Sequence, residues 1–98
     1  MLKTYYHATP TENLCSIIEK GLLKGVDGII YLTEKPEESI RFLAVRGYKK
    51  AIVCKVRLEE DLVKEQFDHN SNFFKCRAYG YPDNIKSSEI KEYYEYTW

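Results

Sequence analysis

The segment that decides the fold is residues 5–14, which read Tyr-Tyr-His-Ala-Thr-Pro-Thr-Glu-Asn-Leu. Residues 3–8 are rich in tyrosine and threonine, which is typical of a short strand. A helix start follows at once, because Thr9 is placed to cap it, Pro10 suits the first helical position, and Glu12 is placed to complete a capping box. We therefore expect a strand that passes directly into a helix.

The helix continues with apolar residues at helical spacing and ends at a glycine. Gly21 lies where a left-handed backbone would stop the helix at little cost. The apolar face that this spacing predicts is formed by Leu14, Ile17, Ile18 and Leu22.

The middle of the chain contains two strand patterns separated by a second helix pattern. Residues 28–33 contain the short apolar run Ile-Ile-Tyr-Leu, which predicts a buried strand. A helix with an early proline, Pro36, follows and ends at Gly47. Residues 51–58 alternate between apolar and polar side chains and predict a half-buried strand, with Ile52, Cys54, Val56 and Leu58 on its apolar face.

The last part of the chain is mostly strand and turn. Residues 59–66 predict a short charged helical turn, residues 73–79 a strand, and residues 90–96 a final strand. Early helices with later strands favour an α+β fold. A length of 98 residues predicts a single domain over residues 1–98.

Composition excludes some functions and favours others. Fifteen basic and fifteen acidic residues cancel, which argues against broad non-specific nucleic-acid binding but permits a local basic patch. We find no apolar run of about 20 residues that would span a membrane and no signal peptide. Cys15, Cys54 and Cys76 are scattered, so we expect reduced, buried thiols in a cytoplasmic protein.

Two residues are candidate site residues because of where they lie in the predicted strands. His7 ends the first strand beside a helix N-terminus, where free N–H groups attract phosphate, although a surface or packed histidine is the simpler interpretation. Tyr31 lies in the second strand and is either a core tyrosine or an aromatic platform for a base or nicotinamide ring.

Several motifs in order resemble the ADP-ribosyltransferase superfamily, which includes the diphtheria-toxin and poly(ADP-ribose) polymerase branch, DNA ADP-ribosyltransferases and RNA 2′-phosphotransferases. The matching pieces are His-Ala-Thr from His7, a helix of the form Asn-Leu-x-x-Ile-x-x-x-Gly-Leu from Asn13, Gly-Ile-Ile-Tyr-Leu-Thr from Gly28, and Pro-Glu from Pro36. The resemblance covers residues 5–58 well and continues weakly to residue 90. It implies a minimal fold with two early helices packed on a small, split, mostly antiparallel sheet.

The resemblance also implies roles for single residues. His7 would hydrogen-bond the ribose of NAD, with the hydroxyl of Thr9 beside it. The backbone of Ala8 would contact the nicotinamide amide, and Tyr31 would stack on the nicotinamide ring. NAD would be a substrate, and the acceptor would be a macromolecule, either protein or nucleic acid.

One family feature is missing from the expected strand. Many relatives carry a glutamate at the start of the strand that corresponds to residues 73–79, and this strand contains no acid. The nearest candidates are Asp68 and Asn72 in the preceding loop, with His69 beside Asp68, although loop residues of these types commonly cap turns.

Two alternatives therefore stand beside NAD-dependent transfer. One is a binding module that keeps the fold without catalysis. The other is an RNA 2′-phosphotransferase-like enzyme, which would need phosphate-binding arginines such as Arg77, whereas Arg41 and Arg46 look like solvated helix positions. A metal site is not expected, because two histidines and no paired cysteines offer too few ligands. The sequence leaves the oligomeric state open.

Overall fold

The computed structural model describes residues 1–24, 28–66 and 78–98. The described elements are β1 (Leu2–Thr9), a 3₁₀ turn (Thr11–Asn13), α1 (Leu14–Lys20), β2 (Ile30–Leu32), α2 (Pro36–Ser39), α3 (Arg41–Ala44), β3 (Lys50–Glu59), a 3₁₀ turn (Glu60–Leu62), β4 (Lys64–Gln66), β5 (Ala78–Tyr81), a 3₁₀ turn (Ser87–Glu89) and β6 (Ile90–Thr97). The predicted α+β class is confirmed.

One sheet has the strand order β1-β3-β6, and all its pairs are antiparallel. The alternation predicted for β3 is present, since Ile52, Cys54 and Val56 are buried on one face. The strand is more deeply buried than predicted, because Ala51 and Val53 on the other face are also fully buried. This second face is enclosed because α2 packs against both β1 and β3.

The other sheet has the strand order β2-β5-β4 and is also antiparallel. Apolar residues from both sheets form one core with the inner side of α1. This buried cluster consists of Tyr5, Ile17, Leu22, Ile30, Leu32, Ile52, Cys54, Val56, Leu58, Tyr79, Ile85 and Ile90.

Two isolated backbone pairs add to these ladders. Tyr6 of β1 pairs with Thr33, directly after β2, and Leu22 pairs with Ile85. Each pair is antiparallel and is made by two N–H···O bonds, which measure 2.8 and 2.9 Å at Tyr6–Thr33 and 2.8 and 2.8 Å at Leu22–Ile85.

The predicted helix start is wrong in detail. Thr9 still belongs to β1, where it pairs with Ile52, so Pro10 takes the N-cap position and no side chain caps the turn. The hydroxyl of Thr9 instead accepts a 2.9 Å hydrogen bond from Nδ2 of Asn13. Strand pairing therefore overrides the local capping signal. The predicted helix stop at Gly21 is confirmed, with a positive φ of 79°, but its ψ of −165° is extended and differs from the predicted left-handed helical conformation.

Other corrections concern burial and the ends of elements. Cys15 and Ile18 were both expected to be buried, and both are exposed because α1 buries only the side that carries Ile17. Cys54 is buried as predicted. The predicted helical turn over residues 59–66 is a single 3₁₀ turn followed by β4. Cys76 lies outside the described residues.

Within the part of the chain that the structure describes, no helix is both long enough and apolar enough to cross a membrane.

Candidate functional site

The candidate site lies where β1 and β2 separate. In the described part of the chain their pairing consists of the Tyr6–Thr33 pair alone. Tyr6 directs its N–H and C=O toward β2, and the backbone groups of alternate strand residues point to the same side. The N–H and C=O of Ala8 therefore also point toward β2, and those of Tyr31 point back toward β1.

The ring of His7 takes the place of the next backbone pair between β1 and β2. Continued pairing would join Ala8 to Tyr31, but Nδ1 of His7 lies 2.7 Å from the carbonyl oxygen of Tyr31. A carbonyl only accepts hydrogen bonds, so Nδ1 carries the proton and donates it. The ring of His7 thus takes the acceptor that the backbone of Ala8 would have used, and the two strands part at this point.

The protonation state of His7 follows from this arrangement. Burial of the half-buried ring lowers its pKa from the ordinary value of 6.5, and the hydrogen bond to the Tyr31 carbonyl opposes that shift only in part. The ring is therefore neutral at pH 7. Because Nδ1 holds the proton, Nε2 carries the lone pair and can accept a hydrogen bond from a ligand hydroxyl.

Tyr31 is not a core residue. Its neighbours Ile30 and Leu32 are buried at 3% and 1% exposure, whereas Tyr31 itself is 40% exposed. Strand alternation explains the difference, since Ile30 and Leu32 point into the core. An aromatic ring thus lies partly exposed in the strand next to His7.

The other two residues that the sequence singled out belong to the same strand end. Ala8 is half-buried, and Thr9 is buried at 7% exposure. The Thr9 hydroxyl already accepts a hydrogen bond from Asn13. Thr9 therefore fixes the turn after β1, while its hydroxyl proton stays available as a donor.

Comparison with protein-family models finds no match to this chain. Comparison with curated proteins finds no match either.

Asp68, His69, Asn72 and Arg77 all lie outside the described residues. Of the strand predicted over residues 73–79, the last two residues fall in β5, which begins at Ala78. The catalytic role of Asp68 or Asn72 therefore stays a prediction.

Sequence reasoning missed a polar clamp on the other side of the Tyr6–Thr33 pair. The carboxylate of Glu34 accepts a 2.7 Å hydrogen bond from the hydroxyl of Tyr79 and lies 2.9 Å from Nζ of Lys3. The Lys3 ammonium also lies 5.6 Å from the ring centre of Tyr5 and 5.8 Å from that of Tyr79. These contacts connect β1, the segment after β2, and β5. The only sequence signal for them was strand alternation, which puts Lys3 and Tyr5 on one face of β1.

Among the described residues, neither a reactive thiol nor a metal site accompanies this junction. Cys54 lies opposite His7 in the β1–β3 register. Burial raises the pKa of the Cys54 thiol to about 12, so it is protonated and unreactive at neutral pH. The described residues contain no group of three or more histidine, cysteine, aspartate or glutamate side chains that would hold a metal ion.

Proposed function

We propose that this chain binds NAD and transfers its ADP-ribose to a macromolecular acceptor, either protein or nucleic acid. The observation that carries the proposal is the interrupted ladder at β1 and β2, where His7 bonds to the Tyr31 carbonyl in place of Ala8. By strand alternation, the N–H and C=O of Ala8 point toward β2 beyond the Tyr6–Thr33 pair.

The backbone of Ala8 is suited to a primary carboxamide. Its N–H and C=O point to the same side, and the nicotinamide carboxamide offers one carbonyl acceptor and one NH₂ donor. Two hydrogen bonds to these groups would replace the strand pair that β2 does not supply. An acid or an ester in place of the amide would lose one of the two bonds, so the site would select the amide.

Two side chains complete the binding site that we propose, one from each face of the junction, since strand alternation puts His7 on the face of Tyr5 and Tyr31 on the face away from Ile30 and Leu32. The partly exposed ring of Tyr31 offers an aromatic face on which a nicotinamide ring can stack. The neutral ring of His7 offers Nε2 as an acceptor for a ribose hydroxyl, while Nδ1 is held by Tyr31. This arrangement positions the ribose carbon relative to the leaving nicotinamide.

The reaction is a displacement at that ribose carbon. The bond from the ribose carbon to the nicotinamide nitrogen breaks, and its electron pair leaves with nicotinamide. A bond to the acceptor's nucleophilic oxygen or nitrogen forms, and the proton that the acceptor releases goes to a base. We propose Asp68, or Asn72 as an orienting amide, for the group that contacts the acceptor, since carboxylates also stabilise the positive charge that develops on the ribose.

The test combines NAD titration with a nicotinamide-release assay. Native protein is expected to bind NAD and release nicotinamide, and Tyr31→Ala is expected to weaken binding roughly 2- to 12-fold, which corresponds to about 0.5–1.5 kcal/mol. Tyr93→Ala is the matched control, because Tyr93 is a similarly exposed tyrosine in β6 at 36%.

Each other outcome points to a different function. Binding without release would favour a non-catalytic binding module, and Asp68→Ala would then have no effect on NAD. Affinity for an RNA 2′-phosphate without NAD binding would favour the phosphotransferase alternative. No NAD binding at millimolar concentration would contradict the proposal.

A further inference from the structure

A groove of about 380 Å³ opens at the end of the β1-β3-β6 sheet, beyond the candidate site. Thr11 and Glu12 line it from the turn after β1, Tyr48, Lys49 and Lys50 from the segment that enters β3, and Thr97 from the end of β6. Its lining begins at Pro10, directly after the end of β1, and His7 lies three residues earlier in that strand, about 10 Å along an extended chain.

The groove concentrates positive charge on a chain with no net charge. Two of its described lining residues, Lys49 and Lys50, are cations, and Glu12 is its one acid. Arg46 adds a further exposed cation four residues before Lys50. None of these three basic residues belongs to the ion pairs found between described residues, such as Lys3–Glu34 and Lys55–Glu92.

Exposed aromatic rings accompany these cations. Tyr48 is 38% exposed within the groove lining, and Trp98 is 40% exposed. The backbone N–H of Trp98 donates a 2.9 Å hydrogen bond to the carbonyl of Lys49, which fixes the tryptophan beside the lysines. Cations next to exposed rings at a groove are an arrangement that can hold phosphates and stack unpaired bases.

We propose that this groove binds single-stranded nucleic acid, with Lys49 and Lys50 on phosphates and Tyr48 or Trp98 stacked on bases. An acidic peptide would use the lysines but would leave the rings without a planar partner. Duplex bases are already stacked and would not reach the rings. This inference names single-stranded nucleic acid as the acceptor in the proposed transfer of ADP-ribose. The role as acceptor rests on the proposed function, whereas binding to the groove does not.

The experiment measures fluorescence anisotropy of labelled oligo(dT) and oligo(U) decamers with the full chain, without NAD. If two phosphates are neutralised, the logarithm of the association constant falls with a slope of about −1.4 against the logarithm of salt, or about sevenfold between 50 and 200 mM. Lys49→Gln/Lys50→Gln is expected to bring that slope close to zero. Trp98→Ala is expected to reduce affinity at least about fivefold and to keep the slope.

Lys20→Gln/Lys35→Gln is the matched control, because both residues are exposed and neither lines the groove. It should retain native affinity and the native slope. Circular dichroism of every variant establishes that the comparison is made between folded proteins.

Three results would overturn the proposal. They are absence of binding by native protein at 50 mM salt, equal losses in the control and groove variants, and equal binding of a glutamate decapeptide with the same dependence on Lys49 and Lys50. Failure here is distinct from failure of the NAD proposal, because NAD titration of the groove variants should give native affinity whether or not they bind oligonucleotide.

Discussion

The two isolated backbone pairs are alike in hydrogen bonding and opposite in surroundings. Leu22 and Ile85 are buried at 4% and 0% exposure, and the pair is enclosed by the core. Tyr6–Thr33 is followed on one side by the half-buried His7 and the partly exposed Tyr31. The same two N–H···O bonds thus lie within the core at one place and next to half-buried and partly exposed side chains at the other.

The comparison separates a strand pair that only contributes to packing from a strand pair that borders the candidate site. At Leu22–Ile85 the backbone approaches so closely that a Cβ atom on Gly21 would lie 2.1 Å from the carbonyl oxygen of Ile85. At Tyr6–Thr33 the ladder is interrupted one step later by a side chain. Because an imidazole replaces a backbone donor there, we attribute function to that junction and packing to the other.

The largest effect is expected at the closed junction. Gly21→Ala forces a side chain onto a residue at φ 79° and into the Ile85 carbonyl, so it should lower the free energy of unfolding by at least about 2 kcal/mol. Urea denaturation measures this loss. Gly47→Ala is the control, because Gly47 also has a positive φ of 90° but no described atom within 4 Å of the added Cβ. It should lose only about 1 kcal/mol, and equal losses would contradict the close packing at Leu22–Ile85.

A smaller, pH-dependent effect is expected at the open junction. The pKa of His7 is below its ordinary value of 6.5 in the folded protein because of burial, so the unfolded chain binds a proton first as the pH falls. The contribution of His7 to the free energy of unfolding is therefore fully present above pH 6.5. Below that pH it decreases by no more than about 1.4 kcal/mol per pH unit.

Urea denaturation between pH 7.5 and 5 measures that slope. His7→Asn should remove the His7 component, because the amide nitrogen can still donate to Tyr31 but does not titrate. If native protein and His7→Asn lose stability in parallel over this range, His7 is not held neutral in the fold.

The smallest effect on stability is expected at Tyr31. Its ring is 40% exposed, so Tyr31→Ala should change the free energy of unfolding by less than about 0.5 kcal/mol. Tyr79→Phe should cost more, about 1 kcal/mol, since it removes the hydrogen bond to Glu34. A Tyr31 variant that is less stable than the Tyr79 variant would make Tyr31 a packing residue.

Patterns that depend on neighbouring residues predicted the fold well. Alternation located β3, and the position of Gly21 predicted where the helix ends, at a positive φ. The same local reasoning failed at Thr9, where pairing with Ile52 extends β1 through a residue that looks like a helix cap. It failed again at Ile18, because helical spacing does not say how much of a short helix the core covers.

The candidate site was only partly predictable for a related reason. The sequence singled out His7 and Tyr31 as separate positions, but not that the ring of one bonds to the backbone of the other across 24 residues. That contact depends on where the ladder between β1 and β2 stops. Glu34 and Lys3 were missed because Lys3, Glu34 and Tyr79 lie in three segments that are far apart in the sequence.

The most direct test of the central claim is an NMR titration of isotope-labelled protein with nicotinamide alone. If the gap between β1 and β2 holds the carboxamide, the amide N–H of Ala8 should show one of the largest shifts, together with Nε2 of His7. Nicotinate, which lacks the NH₂ donor, should shift both much less. Shifts that avoid Ala8, or equal shifts with nicotinate, would contradict the account.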